Sequence, residues 1–178
     1  MTLLKILHFP DNKLRQKGHN IDTFDEKLEK IANDMLETMY QSKGIGLAAV
    51  QVNLPIRLIV IDISESRNEP LFLVNPLILD KKELITFEEG CLSVPGFYEK
   101  VERYNLIDFT YQDLNGGKHS MNAEGLLSVC VQHEIDHLDG KLFVDYISQL
   151  KRDRIANKIK KAEISNTVPS RKNVPYNI

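Results

Sequence analysis

The chain has only two cysteines, Cys91 and Cys130, no long apolar run and almost no excess of either charge. Two cysteines leave room for one disulfide at most, which rules out a disulfide-stapled scaffold. No stretch approaches the roughly 20 apolar residues that a membrane-spanning helix needs. A net charge of −2 supplies no overall field to recruit DNA. The opening "MTLLKILHFPDNKLRQ" has a short apolar run but lacks a basic leader and a small-residue cleavage site. A cytoplasmic location is therefore expected, and with it a metal or redox role for a thiol ahead of a disulfide. Repeats and low-complexity tracts are missing too.

What remains is a globular chain. Its 178 residues, 42% hydrophobic and 27% charged, suit one domain with a real core. "TFDEKLEKIANDMLETMYQSKG" predicts a first long helix: Thr23 and Glu26 fit a capping box, and Phe24, Leu28, Ile31, Ala32, Met35, Leu36 and Met39 recur at helical spacing. Gly44 is placed to end it. "RLIVIDIS", "LFLVNPLIL" and "NLIDFTYQD" read as strands, broken by "SRNEP" and "DLNGG". Asn122 is a candidate N-cap for a second helix, "AEGLLSVCVQHEIDHLD", closed by Gly140. A third helix is expected over residues 146–165, with Ile147, Leu150, Ile155 and Ile159 as its apolar stripe. The predicted architecture is α+β, with mixed or antiparallel sheet packed around the second helix. A single domain is expected over residues 1–165, followed by a loose tail over 166–178, where "NTVPSRKNVPYNI" carries two prolines.

Chemistry concentrates in "CVQHEIDHLDG", residues 130–140. Residues i and i+4 stack on one helix face, so His133 and His137 can share one cation. Glu134 lies about 100° round the helix from His133, close enough to reach a water beside that cation without being a ligand. The bland alternative is a solvated helix with two unrelated histidines. Leu127, Val131, Ile135 and Leu138 form a separate apolar stripe, which suggests one buried side and a histidine face turned elsewhere. Cys130 shares the histidine face, but it lies about 10 Å along the axis from His137 at 1.5 Å per residue. Ligands in one line cannot surround an ion with bonds of about 2 Å. Cys130 therefore reads as a small buried residue, and the third ligand must come from another segment. Cys91, in the turn "EEGCLSVPG", is the remaining cysteine, although it too could be a buried thiol. Two imidazoles and a thiolate leave a coordination position open, the mark of a catalytic site, and such a donor set suggests zinc.

With Cys91 included, "GIGLAAVQ" (44–51), "EGCLS" (89–93) and "QHEIDHLDG" (132–140) resemble, in order and spacing, the three motifs of peptide deformylase. The resemblance runs from about residue 3 to 160 and is closest to the bacterial type with a helical C-terminus. It implies hydrolytic removal of the formyl group from N-formylmethionyl nascent peptides. It also implies one divalent cation per chain, with Fe(2+) physiological and Zn(2+), Ni(2+) or Co(2+) able to substitute. By motif position it assigns Cys91, His133 and His137 as ligands and Glu134 as general acid/base. Gln51 and the Leu92 N–H become the donors to the oxyanion. The resemblance further places Gly44, Ile45, Gly46 and Leu126 along the substrate, and makes Glu89 and Arg103 a supporting ion pair. For Glu89 and Arg103 the alternative is two solvated charges. The third helix, with six Lys/Arg in residues 151–161, is either a solvated face or a dock for ribosomal RNA. The family's pattern is not followed everywhere. Val50 stands where proline or threonine is common, and no substrate-binding arginine lies near Tyr98. A zinc endopeptidase and a ribosome-associated module with a structural metal are the competing readings.

Overall fold

Five strands in sequence order, β1 (Gly46–Ala48), β2 (Leu58–Ile61), β3 (Leu71–Gly90), β4 (Tyr98–Gln112) and β5 (Lys118–Glu124), form one sheet in which every pairing is antiparallel. The computed structural model describes residues 2–165, 167 and 178, with the side chain of Glu163 excepted. Among the described residues three α-helices complete the fold: α1 (Glu26–Gln41), α2 (Gly125–Leu138) and α3 (Gln149–Ile164). The α+β architecture expected from the sequence is the one observed. No helix among the described residues is long and apolar enough to cross a membrane.

Helix α1 follows its apolar period, burying Leu28, Ala32, Met35 and Met39. It starts later than predicted, because the side chain of Asp25, not that of Thr23, accepts the Leu28 N–H. At its far end Lys43, not Gly44, takes the left-handed conformation (φ 59°), and the Gly44 N–H then closes on the Met39 carbonyl.

The second helix also begins later than predicted. Asn122 lies in β5 opposite Asp108, so the backbone there is committed to the sheet ladder and Glu124 takes the cap position. Gly140 closes α2 with φ 75°, as expected. Helix α2 touches all five strands. Its histidine face does not look outward: Ser128 through Ile135, His137 and Leu138 are all buried. Sheet and loops enclose the helix on both sides, so no polar face is left to solvent. In α3, Ile155 and Ile159 are buried, whereas Leu150, predicted to lie in the apolar stripe, is 81% exposed. It sits in the first turn, before the helix reaches the core. The loose tail expected over 166–178 falls mostly outside the described residues.

Three apolar clusters build the interior, and the functional segments sit where they meet. Cys130 and Ile45 belong to the first cluster, Cys91 and Phe143 to the second, Leu92 and Leu47 to the third.

Candidate active site

Helix α2 supplies the imidazoles. His133 and His137, one turn apart, bring their Nε2 atoms within 3.2 Å. The long β3–β4 hairpin delivers the third group. Its last pair is Gly90–Tyr98, and the turn between them holds Cys91 with Sγ 3.2 Å from His137 Nε2. Among the described residues, Cys91, His133 and His137 form the one group of three whose ligand atoms all lie within 4.8 Å of one another. A tetrahedral cation with bonds of about 2.0–2.3 Å would hold such atoms roughly 3.3–3.6 Å apart. The donor set and its spacing therefore fit a metal.

Orientation comes from the surrounding shell. Glu89 Oε2 accepts from His133 Nδ1 at 2.8 Å, which leaves the Nε2 lone pair turned toward Cys91 and His137. Arg103 holds Glu89 in turn, with Nε and Nη2 donating to its two oxygens at 2.6 and 3.1 Å. The third guanidinium nitrogen, Nη1, donates to Asp136 at 2.6 Å, and the Tyr146 hydroxyl donates to the same carboxylate oxygen at 2.8 Å. The predicted Glu89–Arg103 contact is therefore a buried pair rather than two solvated charges. It is also one link in a chain running from Tyr146 through Asp136 and Arg103 to His133.

Gln51 reaches the cluster from the other side. The turn Ala49–Val52 after β1 points its amide inward: Oε1 accepts the Ala48 N–H at 2.7 Å, and Nε2 lies 3.1 Å from Ser93 Oγ and 3.6 Å from Cys91 Sγ. The two motif glycines make room for the rest. A Cβ on Gly46 would come within 2.5 Å of Glu134 Oε1 and 2.8 Å of Cys130 Sγ. One on Gly44 would come within 2.7 Å of Leu92 Cδ1. Cys130, buried behind Gly46, belongs to the apolar core and not to the ligand group.

Electrostatics separates the groups sharply. Burial and then the charge of Glu89 push the Glu134 carboxyl far up, and neither of its oxygens has a hydrogen-bond partner. Burial likewise pushes the Cys91 thiol up, with the Glu134 charge adding to it, so protein groups alone disfavour the thiolate. His137 is driven down by burial, then by His133, which keeps its ring neutral. Burial also opposes ionisation of Glu89, but His133 and Arg103 outweigh it and bring its carboxyl down to about 2. A neutral imidazole, a thiol short of countercharge and a buried carboxyl without a hydrogen-bond partner together describe a pocket that a cation would complete.

The polypeptide deformylase family model matches residues 3–153. The chain belongs to the peptide deformylase family. A peptide deformylase of Nitrosococcus oceani is 51% identical over 163 residues, covering 92% of this chain and 98% of the relative. That of Alkalilimnicola ehrlichii is 52% identical over 162 residues, covering 90% and 91%. The crystal structure of the Legionella pneumophila peptide deformylase superposes with a TM-score of 0.89 at 44% identity, covering 93% of this chain and 98% of that one. The Ehrlichia chaffeensis enzyme, solved in complex with actinonin, gives 0.88 at 39% identity, covering 92% and 99%. Family membership makes this chain a metal-dependent hydrolase that removes the N-formyl group from the N-terminal methionine of new polypeptides.

Most of the residues singled out in the sequence lie in the interior. Gly44, Ile45, Gly46, Gln51, Cys91, Leu92, His133, Glu134 and His137 are all buried, and Leu126 is half-buried at the start of α2. Sequence reasoning missed Asp136, Tyr146 and Ser93 as supports. Asp136 was inside the quoted motif, but its partner Arg103 lies in β4, so nothing local signalled the contact.

Proposed function

We propose that this chain deformylates peptides with Cys91, His133 and His137 holding the cation and Glu134 carrying the proton. The observation that supports this most strongly is the gathering of three ligand atoms within 4.8 Å of one another, with Glu134, next to His133 on the same helix, buried and without a hydrogen-bond partner on either oxygen. A bound divalent cation would polarise the formyl carbonyl and lower the pKa of an attacking water. Glu134 takes a proton from that water as its oxygen bonds to the formyl carbon. It then returns the proton to the amine nitrogen as the C–N bond breaks, releasing formate. Gln51 Nε2 and the Leu92 N–H donate to the carbonyl oxygen as it gains charge.

The substrate backbone lies along β1, an edge strand paired only with β2 among the described residues. Ile45 and Leu126 line the methionine side chain, and Gly44 and Gly46 allow the close approach of the peptide. Ferrous iron is the physiological cation; zinc, nickel and cobalt fit the same donors. The exposed basic residues Lys151, Arg154, Lys158, Lys160 and Lys161 of α3 dock the enzyme on ribosomal RNA phosphates.

Formate release tests the reading. Anaerobically prepared, metal-loaded protein should release formate from formyl-Met-Ala-Ser and leave acetyl-Met-Ala-Ser intact. Cleavage of internal peptide bonds instead would favour an endopeptidase and contradict it.

A further inference from the structure

The Leu92 amide already has an acceptor within the chain. It donates to a backbone oxygen of Ile178, 3.1 Å away. The Ile178 side chain is 1% exposed and joins the apolar cluster that contains Ile45 and Cys130, with Leu126 and Leu127 packed against it. The backbone of this residue therefore uses the oxyanion donor, and its side chain belongs to the same apolar cluster as the wall assigned above to the methionine.

We propose that Ile178 is an intramolecular occupant of the substrate groove and competes with formylated peptides for it. The proposal rests on the groove assignment made under the proposed function. The chemistry suits an occupant that is held but not consumed. A branched aliphatic side chain fills an apolar wall much as methionine does. Its backbone oxygen takes the Leu92 hydrogen bond, yet Ile178 presents no formyl group, so there is no bond to cleave. An occupant carried on the same chain competes at a fixed effective concentration, so even a weak contact counts. A groove self-occupied roughly 90% of the time binds substrate about tenfold more weakly than a free one.

Two single changes at Ile178 provide the test. Ile178→Asp and Ile178→Gly should each lower KM for formyl-Met-Ala-Ser several-fold with kcat unchanged, while Ile178→Leu stays near the parent. A second readout does not depend on turnover. In zinc-loaded protein with labelled isoleucine and leucine methyls, Ile178 should show cross-peaks to methyls of the Ile45–Leu126 cluster, lost when saturating Met-Ala-Ser is added. An unchanged KM in both variants, or the absence of those cross-peaks, overturns the proposal. If no form of the chain releases formate, the proposed function fails, and the methyl cross-peaks still decide whether Ile178 docks.

Discussion

Helices α2 and α3 both carry ionisable side chains and put them to opposite use. Helix α2 buries Gln132, His133, Glu134 and His137 at 5% exposure or less. Helix α3 turns Lys151, Arg154, Lys158, Lys160 and Lys161 to solvent and buries Ile155 and Ile159. A buried charge without a partner costs free energy that a solvated one does not. Glu134 sits buried with neither carboxyl oxygen hydrogen-bonded, whereas its helical neighbours are satisfied: Gln132 reaches the Tyr104 carbonyl, and His133 reaches Glu89. Under the proposed mechanism Glu134 serves chemistry, while the α3 charges stay solvated at the surface.

The contrast is tested hardest at Glu134. Glu134→Gln should lower kcat by about 10²–10⁴-fold, the usual worth of a positioned acid/base. The same change replaces a buried carboxyl lacking a hydrogen-bond partner with a neutral amide of the same shape, so the melting temperature should stay level or rise. A fall in stability matching the fall in activity would make Glu134 structural and erase the distinction between the helices.

A smaller effect is expected one shell out. Glu89→Gln leaves Arg103 buried with a weakened partner and relaxes the hold on His133. Metal affinity, measured by competition with a chelator, should drop about 10–100-fold. An unchanged affinity would show that the Tyr146–Asp136–Arg103–Glu89 chain supports the fold alone.

The joint between the two helices should respond to pH. Asp145, in the turn Phe143–Tyr146, takes two hydrogen bonds from Arg15, at 2.5 and 2.9 Å. Burial alone would raise its carboxyl, but Arg15 and the Leu142 N–H outweigh burial and lower it. A carboxyl lowered in the folded state adds stability above its unfolded value of about 3.9, and that stability is lost as pH falls through the folded value. Arg15→Ala should therefore cost about 1 kcal/mol or less at pH 7, given the partial exposure of the pair. The gap in melting temperature from the parent should narrow toward pH 3. A gap that stays constant with pH would assign the effect to packing against Phe9 rather than to charge.

The smallest effect belongs to α3. Replacing Lys158, Lys160 and Lys161 together by Ala should change stability by less than about 0.5 kcal/mol per site and leave hydrolysis of a short formylated peptide untouched. Ribosome affinity should weaken, with a shallower dependence on salt. Unaltered affinity across a salt titration would reduce the basic face to a solvated one.

Where periodicity is local, the fold could be read directly. Helix α1 and the histidine pair follow from 3.6-residue spacing, and "LIVI" follows from its β-branched run. Strand β5, "KHSMNAE", was invisible because it lacks apolar alternation and is held by backbone pairing to β4. The burial of the histidine face was misjudged for a related reason: a helix enclosed by sheet and loops has no polar side to contrast with its apolar stripe. Cys91 was reachable by asking what geometry a third ligand requires. Asp136, Tyr146 and Ile178 were not, because their partners are chosen by the folded chain rather than by sequence neighbours.

The cobalt-substituted protein offers the most direct test of the central claim. Its near-ultraviolet spectrum should show thiolate-to-cobalt charge transfer, unchanged in Glu134→Gln and absent in Cys91→Ala. A cobalt-loaded parent chain without that band would contradict the placement of Cys91 beside the two imidazoles.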